Sequence, residues 1–131
     1  MTSHLVTIDA YSWSNGRADY EFPEAKLVYA SDSISDVLGY EPHEVIGDSL
    51  FAYFHPEEIS VAQTFHGRGV EMDKAAVLAY CRLRSKAGDY VCCEIVFTVV
   101  YSVVVAATSI YRQTNKSHGQ FAFIPPMRVA I

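Results

Sequence analysis

The sequence predicts an α+β domain in which short helices and one longer connecting helix lie on one face of a five-stranded antiparallel sheet. Three observations predict it. Two strand-like runs open the chain, helical spacing with repeated stop signals fills the middle, and alternating apolar residues follow in the last third. With 131 residues, 50% of them hydrophobic, the chain has enough material for a single buried core.

The first two strands are predicted over residues 5–10 and 26–30, where β-branched and other apolar residues cluster. In the first of them Val6, Ile8 and Ala10 share one face, because side chains alternate along a strand. These two runs account for the strands that precede the helices.

Short helices are predicted next, because helix start and stop signals alternate closely along the sequence. Ser33 and Asp36 have the spacing of a capping box, with aspartate in place of the usual glutamate. Gly39 and Gly47 are placed to end two helices in a left-handed cap, and Pro42 suits a first helical position. Successive helices this short are typical of a wall around a small cavity.

The longer helix begins in the HPEE segment at 55–58, where a proline and two acids favour a helix start. Ile59, Ala62 and Phe65 then recur at helical spacing and form its inner stripe. The period changes to strand-like alternation afterwards, with a turn signal near residue 88. Three antiparallel strands are predicted there, over residues 75–84, 90–100 and 103–112.

Charge and cysteine content exclude several classes of protein. The net charge of −5 argues against direct nucleic-acid binding, which needs clustered lysine and arginine. Three cysteines give no disulfide framework, which indicates a reducing compartment. Neither a signal peptide nor a run long enough to cross a bilayer is found. We expect an intracellular protein, cytoplasmic or nuclear, with no membrane contact.

Several motifs in this order resemble a PAS domain. They are YAS at the end of the second strand, then SISDVLGYEPHEVIG, SLFAYFHPEE, RSKAGDY and a closing SIYRQ. The resemblance covers residues 5–113, and its details are similar to PAS domains of eukaryotic regulators such as the fungal white collar group. We therefore predict a PAS-like domain over residues 1–115, followed by a C-terminal tail over 116–131.

The resemblance implies a sensory or protein-interaction module of a signalling or transcription regulator, with a cavity for a small ligand. Light-sensing PAS domains carry a GxNCRFLQ motif whose cysteine attacks flavin. Here the matching segment is GDSLFAYF, and Leu50 stands where the reactive thiol would be. No flavin adduct is expected at Leu50, and we do not expect bound flavin.

Haem-binding PAS domains ligate iron through a histidine on the long helix, and His66 is the residue that matches this role. The alternative is a solvent-facing or helix-terminal histidine, which suits the negative end of the helix dipole. We favour the alternative and do not expect haem.

Two surfaces are predicted to carry the function. The space between the sheet and the helices would be lined by Phe54, Phe65, Val77, Cys81, Ile95 and Phe97, although a fully packed core is an open alternative. Both faces of the last two strands are apolar, so the outer sheet face would expose a patch of the kind that marks protein–protein sites. We assign to this interface Val96, Thr98, Val104, Ala106 and Ile110.

The expected partner of that interface is another PAS-type domain or a second copy of the chain. The open alternative is that the first residues, or the tail over 118–131, cover the outer face.

No catalytic residue and no metal site are predicted. His55 is followed by Glu57 and Glu58, but these acids are better explained by the helix start than by acid–base catalysis. The competing class is a small isomerase or dehydratase with a cone-shaped α+β fold. Such an enzyme needs an aspartate or histidine that projects into a deep pocket, whereas the inner strand faces are predicted to be almost wholly apolar.

Overall fold

The computed structural model describes residues 4–12, 24–72, 76–111 and 120–124. These residues form six strands and three α-helices, with a 3₁₀ helix at Leu50–Tyr53 between the second and third α-helices. The strands are β1 (His4–Ser12), β2 (Glu24–Ala30), β3 (Ala76–Arg84), β4 (Tyr90–Val100), β5 (Val103–Ile110) and β6 (Gln120–Ile124). The helices are α1 (Ile34–Val37), α2 (Pro42–Val45) and α3 (Ile59–Met72).

All six strands form one antiparallel sheet in the order β2-β1-β5-β4-β3-β6. The predicted α+β architecture, with five strands and helices on one face, is confirmed. The sixth strand, β6, lies within the segment that we predicted as a tail and pairs with the edge of β3. Residues 120–124 therefore extend the sheet sideways and do not cover its outer face.

Strand β1 places its polar side chains inward, against the usual pattern. Leu5, Thr7 and Asp9 are buried, while Val6 and Ile8 lie on the outer face and are only partly covered. The pairing of β1 between β2 and β5 fixes this register, since a shift by one residue would exchange the two faces. One strand thus brings a hydroxyl and a carboxyl group into the core.

A β-bulge lies opposite the inward-facing aspartate. Ile8 pairs with Tyr29 and Asp9 pairs with Leu27, so that Val28 is the extra residue of β2. Both Val28 and Tyr29 are exposed as a result. Bulges bend a strand and re-aim neighbouring side chains, and they are frequent beside functional sites.

The predicted helix ends are confirmed, but the predicted cap of the first helix is wrong. Gly39 and Gly47 have φ values of +85° and +92°, a conformation that glycine adopts at no steric cost. Ser33 makes no capping hydrogen bond through its side chain. The capping box forms instead in α2, where the Glu44 carboxylate accepts a hydrogen bond from the backbone N–H of Glu41 at 2.8 Å.

Helix α3 is anchored to β3 by an acid that we had assigned to the helix start. The buried carboxylate of Glu58 accepts hydrogen bonds from the backbone N–H and the Nε of Arg82, at 2.8 and 2.6 Å. The side chain thus joins the helix to the sheet and does not cap the helix. Within the described residues, no helix has the length and apolar character that a bilayer crossing requires.

Candidate ligand cavity between the sheet and the helices

A cavity of about 40 Å³ lies between the inner face of the sheet and the helices. Its wall is formed by residues of five strands of the sheet, of the short helical segments and of α3. Most of the lining is aliphatic or aromatic. The lining residues are Leu5, Thr7, Asp9, Leu27, Ile34, Leu38, Val45, Leu50, Phe51, Tyr53, Phe54, Ala62, His66, Ala79, Leu83, Ile95, Phe97, Val104, Ala106 and Thr108.

Half of the predicted lining residues lie on the cavity wall, namely Phe54, Ile95 and Phe97. Val77 and Cys81 are buried on the inner sheet face but are not on the wall, and Phe65 is only half-buried. Val77 lies against α3, where a Cβ on Gly69 would be 3.7 Å from its methyl group. These three are corrections to the predicted lining. The ligand role of the others stays a prediction.

An aspartate and a histidine meet on the cavity wall. Nε2 of His66 lies 2.8 Å from Oδ2 of Asp9, and the two side chains are 2% and 0% exposed. The remaining polar atoms, Oδ1 of Asp9 and Nδ1 of His66, are buried without a hydrogen-bond partner among the described residues. Because buried polar groups are nearly always hydrogen-bonded, this pair marks a specific site on an otherwise apolar wall.

Two buried threonines join the polar part of the wall. Thr7 precedes Asp9 by two residues on the inner face of β1. Thr108 lies on the neighbouring strand β5, where it pairs with Leu5. The register therefore gathers the polar lining residues at the β1–β5 seam, opposite α3.

His66 is held in place by its helix and by two aromatic rings. It shares the buried stripe of α3 with Ala62 and Gly69, so our expectation of a solvent-facing or helix-terminal histidine is wrong. The Phe51 ring packs edge-on against the imidazole, with 5.3 Å between ring centroids, and Phe97 lies 6.1 Å away. These contacts fix the plane of the imidazole ring.

The sequence argument missed Asp9, and one signal would have found it. Aspartate is depleted in strands, so an aspartate in the middle of an apolar strand needs an explanation. Our expectation of almost wholly apolar inner faces is wrong at Thr7, Asp9 and Thr108. The wholly apolar inner faces that would count against an enzyme are therefore not present at this site.

The inward-facing thiols are unsuited to nucleophilic chemistry. Burial, with a smaller effect of Cys92, raises the pKa of Cys93 to about 12. Burial likewise raises the pKa of Cys81 well above its usual range. Both thiols stay protonated at neutral pH, and only a thiolate attacks or binds a metal well. The described residues contain no cluster of three metal-ligating side chains.

The outer sheet face carries two rows of mainly apolar side chains that run across the strands. Strand pairing sets them side by side, and none of them is buried. The first row comprises Val6, Ala107, Val96, Leu78 and Ala122 on five adjacent strands. The second comprises Ile8, Val105 and Thr98.

Part of the predicted interface belongs to the other face of the sheet. Val104 and Ala106 are buried and line the cavity, so their assignment to the outer face is wrong. Ile110 shares their phase on β5 and packs against the core. The alternation along β5 was read in the wrong phase, because both of its phases are apolar. Val96 and Thr98 do lie on the outer face, and their role in an interface stays a prediction.

The sequence and the fold can now be compared with known proteins. The profile of the family described as "PAS fold" matches residues 27–104, which is more than half of the chain. The chain belongs to the PAS family. Over 79 residues it is 29% identical to hypoxia-inducible factor 1-alpha of Gallus gallus, and over 80 residues it is 30% identical to protein trachealess of Drosophila melanogaster.

These matches cover 60% of this chain in both cases, but only 10% and 8% of the two relatives. This PAS chain thus spans about a tenth of the length of the curated relatives that it matches. The narrower resemblance to white collar regulators stays a prediction.

The same fold is found in the PAS-B domain of Drosophila melanogaster Cycle, solved as the wild type with bound ethylene glycol and as a variant with bound glycerol. Each comparison gives a TM-score of 0.65 at 18% identity, covering 82% of this chain and 99% of the other. This likeness shows the fold of the domain.

Proposed function

We propose that this PAS domain is a sensory and interaction module of a signalling or transcription regulator. A small ligand would occupy the cavity, and the outer sheet face would pair with another PAS-type domain, in the simplest case a second copy. The same sheet forms the cavity wall on one side and the docking surface on the other. A ligand that shifts the strands at the cavity would therefore also shift the docking surface on the other face of the same sheet.

The row of outer-face side chains on five strands is the observation that carries the pairing. It is continuous, largely apolar and accessible, and exposed apolar patches of this kind mark interaction sites in soluble proteins. Residues 120–124 lie beside β3 and leave the row uncovered. This arrangement supports the binding of a partner to the outer face, and it argues against coverage of that face by residues 120–124.

Haem and flavin are not part of the proposal. Nε2 of His66 is already engaged by Asp9, and a cavity of about 40 Å³ is far smaller than a porphyrin. Leu50 lines the cavity at the position that the resemblance matched with the flavin-reactive cysteine, and its side chain has no nucleophile.

The domain is also proposed to be no enzyme. The Asp9–His66 pair resembles part of a catalytic triad, but the only other titratable side chain on the described wall is Tyr53. Burial raises the pKa of Tyr53, and the hydrogen bond that its hydroxyl donates to Asp48 at 2.6 Å raises this pKa further. The hydroxyl therefore stays protonated. Nδ1 of His66 has no hydrogen-bond partner among the described residues, so the pair activates no hydroxyl group there.

The pairing is tested by the solution mass of the chain in sedimentation equilibrium over a range of concentrations. We expect a mass that rises toward that of a dimer, and a loss of this rise in Ala107→Glu. Ala107 is exposed in the middle of the apolar row, where two glutamates would meet or be desolvated in a paired state.

The matched control is Ala52→Glu, the same substitution at an exposed position of the 3₁₀ helix on the opposite side of the domain. This variant should associate as the unchanged chain does. A monomer at every concentration, or equal effects of the two substitutions, would contradict pairing through the outer face.

A further inference from the structure

We infer that the Asp9–His66 pair is the recognition site for a small uncharged molecule that carries a hydroxyl group on an apolar body. The inference deepens the proposed sensing role of the cavity and does not depend on pairing through the outer face. Its basis is the pair of unpartnered atoms, Oδ1 of Asp9 and Nδ1 of His66, on the wall of the cavity.

These two atoms need hydrogen-bond partners that the described protein does not supply. Both are buried, and a buried polar group without a partner is destabilising. A molecule in the cavity can satisfy them, because both residues line it. The rest of the lining is mainly aliphatic and aromatic, so the same molecule needs an apolar body.

The surroundings favour a pair without net charge. Among the described lining residues there is no lysine or arginine that could balance an isolated carboxylate. An unbalanced charge in such a site is costly. Three arrangements have no net charge. Asp9 can be ionised beside a protonated imidazole, or a neutral Asp9 can donate its proton from Oδ2 to Nε2 of a neutral imidazole. In the third, Nε2–H of a neutral imidazole donates to Oδ2 of a neutral Asp9 that carries its proton on Oδ1.

Each arrangement presents one donor and one acceptor to the cavity. In the first two Nδ1 of His66 donates and Oδ1 of Asp9 accepts, and in the third these roles are exchanged. A hydroxyl group both donates and accepts, so one hydroxyl can satisfy both atoms. A ketone only accepts, and an ammonium group only donates, so neither of them can do so.

The size of the cavity limits the ligand to a few non-hydrogen atoms. A single water requires roughly 10–15 Å³ by this measure, and the cavity provides about 40 Å³. A compound as small as propan-2-ol is therefore a suitable probe. Acetone has the same heavy-atom skeleton but lacks the donor, and propan-2-amine replaces the hydroxyl by a cation.

The experiment is a titration of the isotope-labelled chain with each compound, followed by NMR chemical shifts and by ligand contacts to the methyl groups of Val104 and Ile95. It is carried out at concentrations where the chain is monomeric, so that a failure of pairing does not affect it. We expect propan-2-ol to bind about tenfold or more tightly than acetone, because acetone has no hydrogen to donate and leaves a buried acceptor unsatisfied. It should also bind more tightly than propan-2-amine.

Three variants test the assignment to the pair. Asp9→Asn should keep the preference for the alcohol, because an amide that donates to Nε2 of His66 still leaves an acceptor oxygen on the cavity side. The double variant Asp9→Val with His66→Leu should lose the preference. His55→Leu removes a histidine that packs on Tyr90 outside the cavity, and it should behave as the unchanged chain.

Three results would overturn the inference. They are equal affinity for propan-2-ol and acetone, tighter binding of propan-2-amine, and no binding of any of the three compounds. Each of these results is measured on the unchanged chain, so the test does not depend on whether a variant folds. A preference for the alcohol that survives in the folded double variant would also overturn it.

Discussion

Two buried acid–base pairs fasten α3 to the sheet, and they differ in how fully their polar atoms are satisfied. Near the start of the helix, both carboxylate oxygens of Glu58 accept hydrogen bonds from Arg82. In the middle of the helix, Asp9 and His66 share one hydrogen bond, and each keeps one atom without a partner. Both carboxylate oxygens of Glu58 thus have partners within the protein, whereas the Asp9–His66 pair gains its remaining hydrogen bonds only when a molecule occupies the cavity.

The surroundings explain the difference. Arg82 is 18% exposed and reaches the surface, where the exposed carboxylate of Glu57 lies 3.1 Å from its guanidinium group. The Asp9–His66 pair is closed off from solvent by apolar groups and faces only the cavity. One pair therefore serves stability, and the other is available for recognition.

The largest expected effect is the loss of the Glu58 anchor. Glu58→Ala leaves the backbone N–H of Arg82 and its partly buried guanidinium group without their main acceptor. We expect the free energy of unfolding to fall by about 3–5 kcal/mol, the usual cost of breaking a buried pair. Urea denaturation followed by circular dichroism measures it.

The neighbouring acid provides the control for this variant. Glu57 contacts the same arginine, but its side chain is 75% exposed, so Glu57→Ala should cost less than about 1 kcal/mol. Similar losses in the two variants would show that the Glu58 pair is no more structural than a surface contact.

The second prediction concerns the Asp9–His66 pair, whose complete removal should not lower the free energy of unfolding. Replacing both members by apolar residues, Asp9→Val with His66→Leu, should leave stability unchanged or raise it by up to about 4 kcal/mol. The reason is that the double variant removes the unsatisfied atoms together with the pair. The free energy of unfolding from urea denaturation, without added ligand, is the measurement.

The single variant His66→Leu is the comparison for that result, because it leaves the Asp9 carboxyl buried without its partner. It should be less stable than both the unchanged chain and the double variant. If the double variant loses as much stability as Glu58→Ala, the Asp9–His66 pair is an anchor and the contrast between the two pairs fails.

Much of the fold could be predicted because its signals are local. Gly39 and Gly47 end helices through their backbone conformation, and alternation along β3 sets its buried face, so short windows of sequence were enough. The phase of β5 could not be predicted, since valine or alanine occupies both of its faces and only pairing with β1 decides between them.

The site could not be predicted for a related reason. Asp9 and His66 are separated by 57 positions in the sequence, so the unusual aspartate in an apolar strand has no local signal that pairs it with the histidine. Val6 and Ile8 are apolar and yet lie on the outer face of β1, because the sheet has apolar residues on both sides. Only the packing of α3 against the inner face of the sheet brings the carboxyl and imidazole groups together.

The smallest expected effect extends the comparison to an acid–base contact at the surface. Nζ of Lys86 lies 2.9 Å from the carboxylate of Glu44, and both side chains are partly exposed. The pKa of Glu44 is lowered, first by its hydrogen bond from the backbone of Glu41 and then by Lys86. Since the folded state favours the ionised form, this contact stabilises the fold above the usual carboxyl range and is lost as the pH falls through the lowered pKa.

Lys86→Met removes the charge but keeps a side chain long enough to cover Gly39, which lies beside the Lys86 stem. At neutral pH and low salt we expect Tm to fall by about 1 °C, because an exposed ion pair contributes little. The decrease should vanish in about 1 M salt, which screens exposed charges, and Lys86→Arg should show none. A decrease of the same size in high salt would show that Lys86 stabilises the fold through packing and not through its charge. The contact would then not be an ion pair comparable with the two buried pairs.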